Sequence, residues 1–339
     1  MSRFGKISIL IAAALAIISC THKELCYHHR DHAHRNHINI IADYRYDWEE
    51  CYGGPDWEIN WPEHYLPYDD LRPGAPSGLR VVNYNQESGY NLHNIPVTGG
   101  VVNLYEGIND ILLYNNDTEY IVFSRSADGI STRATTRTRT RASFVASKYS
   151  VSGENTINPP DMLYANYIEG YYSEKVSDPT DVEITLQPLV FTYMIRFEFK
   201  SGLEYVSMAR GALSGMAESV QLNTGETSEE SATILFDAEL TDYGVIALVN
   251  SFGVPGYPNP NYPTKSGHTH GLNLEILLRN GRTLTVDYNV TEQIQLQPHG
   301  GVIVIDDIEI TEDVGQQGSG AFDVTVDEWG EYEDIVLPL

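Results

Sequence analysis

Imidazole crowds one short stretch of this chain. Six of its 11 histidines, His22, His28, His29, His32, His34 and His37, stand together with Cys26 among them. Imidazole nitrogens and thiolates are ligands for zinc and copper, and His268 and His270 in GHTHG form a second group. The spacing is not that of a closed structural zinc site. Two readings follow: a metal site built from His28, His29, His32, His34 and His37, or a solvated tether whose positive charge rises below about pH 6.5. The tether is the expectation. A second unusual stretch, STRATTRTRTRA at Ser131–Ala142, sets Arg133, Arg137, Arg139 and Arg141 in an acidic protein. Polar and repetitive, it reads as an exposed loop open to an Arg-specific protease; the alternatives are pairing with acidic neighbours or an interaction patch. Tyr164, Tyr167, Tyr171 and Tyr172 are candidates for glycan stacking, against the more common role of tyrosine in strand cores.

Signatures of catalysis are missing. GALSG at Gly211–Gly215 has its serine one place too late for the G-x-S-x-G nucleophile elbow. There is no phosphate-binding loop, dinucleotide glycine pattern, H-E-x-x-H or EF-hand. Asp and Glu number 47, so paired carboxylates arise by chance. The expectation is a protein with no enzymatic activity and no cofactor.

The elements that would position these residues begin with a leader. Arg3 and Lys6 precede the apolar run Ile7–Ile18, and small Ser19 stands directly before Cys20. That order is a secretory signal, and the run is well short of the roughly 20 residues that span a bilayer. Ile17-Ile18-Ser19-Cys20 resembles the bacterial lipobox, which implies cleavage before Cys20 and lipid on its thiol. Acyl chains contribute about 0.8 kcal/mol per buried CH₂, so the lipid would anchor durably. Thr21 in place of Asp implies transfer to an outer membrane. Cys26 and Cys51 remain, either bridged in an oxidising compartment or as two reduced thiols.

Loss of Arg3 and Lys6 with the leader takes the net charge from −26 to −28. So acidic a chain is repelled by nucleic acid and by anionic lipid, leaving the lipid as its membrane contact. The 23 tyrosines, with many Val, Ile and Thr, favour strands. Short strand signals recur from Ile38 onward, with a slip in alternation expected near Ala42. They include Leu79–Tyr84, Gly99–Tyr105, Ile108–Tyr114 and Glu119–Ser124, each bounded by turn residues. Val182, Ile184 and Leu186 alternate with Glu183, Thr185 and Gln187 up to Pro188, and Phe191–Lys200 alternates again. Leu272–Leu278, Asn280-Gly281 and Leu284–Val290 spell a hairpin, followed by Val302–Ile310 and Phe322–Val326. Tyr205–Ser219, broken by small residues, reads as a crossover loop with a helical turn. The expected organisation is a signal peptide at 1–19, a His-rich tether at 20–36, and all-β antiparallel sandwiches at 37–188 and 189–339.

Four stretches carry a family resemblance: Ser19-Cys20 with LCYHHRDH at Leu25–His32, the strand ending in Trp48, RGALSGMA at Arg210–Ala217, and VTVDEWGEYEDIVLPL at Val324–Leu339. Together they resemble the fimbrillin-like (Mfa-like) lipoproteins of Bacteroidales, which include stalk, tip and anchor subunits of surface fimbriae. LCYHH and RGALSGMA look particularly like an uncharacterised Bacteroides lipoprotein family. The resemblance implies two tandem transthyretin-like β-sandwiches on the outer membrane, held by lipid and presented at the cell surface. It also implies partners that are fimbrial subunits joined by β-strand exchange, in which an incoming strand satisfies an open sheet edge. The apolar end, Ile335, Val336, Leu337 and Leu339, would donate a strand or complete its own sheet. In polymerising members Arg-specific cleavage removes a first strand; here the Arg run lies deep in the first domain, which favours an anchor, accessory or tip role in adhesion or assembly. The alternative function is a surface lipoprotein that binds glycan or metal.

Overall fold

The computed structural model describes residues 35–45, 74–125, 131–258 and 267–316, and the backbone of 333–335. Cys20, Cys26, Cys51, His28, His29, His32, His34, the continuation to Trp48, the Phe322–Val326 run and the last four residues lie outside them. In chain order the strands are β1 His37–Tyr44, β2 Leu79–Asn85, β3 Gly89–Ile95, β4 Gly99–Asn103, β5 Gly107–Asn115, β6 Ile121–Arg125 and β7 Thr132–Thr136. Then come β8 Thr138–Thr140, β9 Asn155–Ile157, β10 Tyr164–Ser173, β11 Thr180–Pro188, β12 Phe191–Ser201, β13 Val206–Ala217 and β14 Ser219–Gln221. The last are β15 Ser231–Leu240, β16 Gly244–Ser251, β17 Gly271–Leu278, β18 Thr283–Asn289, β19 Gly301–Glu309 and β20 Glu333–Ile335. Among the described residues two helices, α1 Thr291–Gln295 and α2 Glu312–Gln316, span about one turn each. No described helix is long and apolar enough to cross a membrane.

The first seven-stranded sheet runs β3-β2-β5-β10-β11-β1-β4. Between β10 and β11 only Tyr164–Pro188 and Ala165–Gln187 pair, so the sheet turns a corner there and closes over itself. Ile38, Ile40, Val81, Ile111, Leu113 and Ile184 meet inside. β1 runs parallel to β11 in unbroken register from Ile38–Thr180 to Tyr44–Leu186. The expected slip near Ala42 is therefore a misreading: Ala42 keeps the phase of Ile38 and Ile40, and its small side chain only imitated a break. A small sheet, β14-β7-β6, lies on the outer face, where Ile121, Ala134 and Val220 cover Val82, Leu112 and Ala165.

The second sheet runs β18-β17-β13-β15-β16-β12-β19 and turns its corner between β15 and β16, joined by two residue pairs. Its core holds Tyr193, Ile195 and Phe197 of β12 with Leu213, Ile234, Val249, Leu274 and Ile303. Asn280-Gly281 forms the turn of the β17–β18 hairpin as the sequence implies, with Gly281 at φ 81° and its N–H donating to Leu278 O at 2.9 Å. Pro188 ends the last strand of the first sheet, and Phe191 opens the second. β9, although earlier in the chain, runs parallel to β15, while β8 and β20 extend that margin.

Tyr205–Ser219 is not a crossover loop. A 3-10 turn at Leu203–Tyr205 leads into β13, twelve residues long and placed between β15 and β17. Its small residues are what its position demands. A Cβ on Gly211 would enter the Phe236 ring, and Gly215, at φ 81°, occupies a bulge between Leu213 and Met216. Glycine takes that left-handed backbone without steric cost. Ser214 of GALSG is buried and donates to Gly271 O at 3.1 Å, a strand position with no nucleophile geometry.

Candidate functional site

The Arg run lies largely in strands. Arg133 belongs to β7 and is exposed; Arg137 joins β7 to β8; Arg139 belongs to β8. Arg139 donates to Leu235 O at 3.0 Å and pairs with Asp237 at 3.4 Å. Arg141, with its side chain 5% exposed, reaches Glu275 at 3.6 Å. Sequence reasoning expected an exposed loop because polar repeats favour solvent, whereas the acidic partners stand about a hundred residues further on.

Arg141 leads into a strap that covers the outer face of β13, β17 and β18. Arg210 donates through Nε and Nη2 to Glu275 Oε1 at 3.0 and 2.6 Å, and through Nη2 to Ser143 Oγ at 2.5 Å. Asn273 donates to Val145 O at 3.2 Å, and Ser147 Oγ to Asp287 at 2.7 Å. Every residue of β17 is consequently buried, including the polar positions that alternation assigned to solvent. The sequence signal for this cluster was a charge within each of two apolar strands, Arg210 and Glu275. Two guanidiniums on one buried carboxylate make a structural lock; their donors are turned inward, away from any solute.

His37 is buried at the start of β1, and His270 is buried beside Gly215. His268 stands 3.8 Å from Glu229. Among the described residues no three His, Cys, Asp or Glu are grouped to hold a metal ion. Burial, with the neighbouring His268 charge, pushes the His270 imidazole down to about 4. Its folded value is below its unfolded value of about 6.5, so the stability it contributes is full above pH 6.5 and lost as pH falls towards 4. A tenfold change in proton affinity is worth about 1.36 kcal/mol, so the loss by pH 4 is about 3 kcal/mol. Urea unfolding of wild type and His270→Asn at pH 7 and pH 4.5 should show a steeper fall for wild type; parallel falls would contradict the burial argument.

The four tyrosines do not form a platform. Tyr164 is buried, and Tyr167 and Tyr171 pack at the edges of apolar clusters. Tyr172 is 68% exposed. Burial and the charges of Asp110 and Glu169 push the Tyr167 hydroxyl up to about 12.

A hollow of about 300 Å³ opens instead on the outer face of the first sheet, a place sequence reasoning missed because two separate turns build it. Tyr84, Asn85, Gln86 and Glu87 line one side, and Glu106, Gly107, Ile108 and Asp110 the other. Register puts Tyr90, Tyr84 and Asp110 in one row across β3, β2 and β5. It also puts Ile108 beside Tyr172 on β10. Tyr84 stacks on Tyr90 with 9° between planes, and the Arg125 guanidinium lies 5.2 Å from the Tyr90 ring centre. Asp110 is set by accepting from Gly170 N at 2.8 Å. Asn85 ties the two sides together, donating to Ile108 O at 2.8 Å and accepting from Glu87 N and Ser88 N.

Nothing among curated proteins matches the sequence. Among solved structures, a candidate adhesin from Bacteroides ovatus is 20% identical over 86% of this chain and 98% of its own, with a TM-score of 0.52. A second from Bacteroides ovatus is 10% identical over 80% and 87% of the two chains, with a TM-score of 0.45. The fimbrial anchor protein Mfa2 from Porphyromonas gingivalis is 9% identical over 79% and 90%, with a TM-score of 0.42. Residues 70–237 match the family described as a domain of unknown function, DUF5119, carried on an all-β fold that the chain shares with the first of the Bacteroides ovatus proteins.

Proposed function

We propose that this chain is a non-enzymatic cell-surface lipoprotein that serves fimbriae as an anchor, accessory or tip subunit in assembly or adhesion. The observation that carries this reading is the fold held in common, over 98% of that chain, with the Bacteroides ovatus candidate adhesin. The lipobox-like Ile17–Cys20 supports attachment to the outer membrane through lipid on Cys20. The margin of the second sheet supports strand exchange, because β20 holds β8 through only three residue pairs, Glu333–Thr140 to Ile335–Thr138. Few ladder bonds oppose replacement of so short an edge strand by a longer one. A Cys26–Cys51 bridge and cleavage after an arginine of the Arg133–Arg141 run remain parts of this proposal.

Anchoring is tested by fractionating cells that express Cys20→Ala. The variant should leave the membrane fraction almost completely, whereas wild type stays; retention of the variant would contradict lipid attachment.

A further inference from the structure

The hollow on the first sheet combines three kinds of surface: carboxylates and an amide at Glu87, Glu106, Asp110 and Gln86, aromatic rings at Tyr84 and Tyr90, and exposed apolar groups at Ile108 and Tyr172. Ile108 is 64% exposed, although it begins a strand whose later apolar residues are all buried. Among the described residues, no hydrogen bond engages the side chains of Glu87 or Gln86.

We propose that this hollow binds a neutral sugar residue of a glycan, whose hydroxyls donate to Glu87 and Asp110 while its C–H face lies against Tyr84 and Ile108. The assignment deepens the adhesive role proposed above and rests on it. Sugar hydroxyls are hydrogen-bond donors that an ionised carboxylate accepts strongly, and an aromatic face receives the weakly positive C–H edge of a ring. At about 300 Å³ the hollow stands at the small end of ligand sites, which suits a terminal sugar better than a folded partner. Charge selects the class. Three carboxylates line the hollow, against two bases beside it, Lys175 at 3.0 Å from Glu106 and Arg125 over the Tyr90 ring, so the balance is negative and a neutral sugar is favoured over sialic or uronic acids. The carboxylates are not grouped to hold a metal ion.

The test is saturation-transfer NMR on the full chain with methyl α-mannoside, methyl β-galactoside and N-acetylglucosamine, with a sialylated lactose as the charged control. At least one neutral sugar should bind, with a millimolar dissociation constant near −4 kcal/mol. Glu87→Gln and Ile108→Ala should each weaken it by about tenfold, and melting curves will check that these surface changes leave the fold intact. Absence of transfer from all three neutral sugars, preference for the sialylated control, binding of a Lys-rich peptide or Ca²⁺ in their place, or binding unchanged in both variants would overturn the site. Complexes with fimbrial subunits separate the two claims. A protein that enters such complexes but binds no sugar loses this site alone, and one that binds sugar but enters no complex loses the assembly role alone.

Discussion

Glu275→Gln should destabilise the folded protein by about 3–5 kcal/mol, because it removes the buried carboxylate on which the Arg210 and Arg141 guanidiniums converge. Both side chains are about 5% exposed, at 6% and 5%, and Glu275 is at 3%. Water cannot replace the lost carboxylate. The loss should also release the strap, since Ser143 shares the network, so proteolysis after Arg141 should speed up. Replacing all three with apolar residues, Arg141→Leu, Arg210→Met and Glu275→Leu, should recover most of the stability, because the desolvation cost disappears with the charges. Denaturant midpoints measure both. A shift of Glu275→Gln below about 1 kcal/mol, the worth of a surface ion pair, would mean that the cluster is solvated.

The second large effect is expected at Gly211. Gly211→Val should cost about 3 kcal/mol or more, the upper end of overpacking penalties, because the added carbons enter the ring of Phe236, which is 2% exposed. The strand cannot shift away, since β15 and β17 flank it and the strap lies over it. A double-mutant cycle of Gly211→Ala with Phe236→Leu should show the two changes compensating by more than the roughly 0.5 kcal/mol of independent sites. Additive costs, or a Gly211→Val protein that melts like wild type, would contradict this packing.

Those two residues also mark where the sequence was hard to read. RGALSGMA looked like a loop because glycine and alanine usually interrupt strands; their smallness is instead the condition for a strand packed on both faces. The Leu272–Leu278 alternation located β17 correctly but misjudged its polar side, because the strap that buries Glu275 comes from about 130 residues earlier in the chain. Pairing across such a separation leaves no local periodicity. Where the determinants were local, the reading was direct: Asn280-Gly281 set its hairpin, and Phe191–Phe199 set the inward face of β12. The arginines stood out by type alone, and only the fold supplied Asp237 and Glu275 as their partners. Two turns of ordinary composition build the hollow, and no linear motif announces it.

A surface subunit that joins fimbriae must touch other fimbrial subunits outside the cell, and crosslinking intact cells that express the full-length chain, with covalent partners identified by mass spectrometry, reads that contact. Fimbrial subunits should be found crosslinked to this chain on the outer face of the cell, and they should be lost from the membrane-bound complex in Cys20→Ala. A chain that is shielded from an impermeant crosslinker, or that is exposed and yields no fimbrial partner, would refute the fimbrial role.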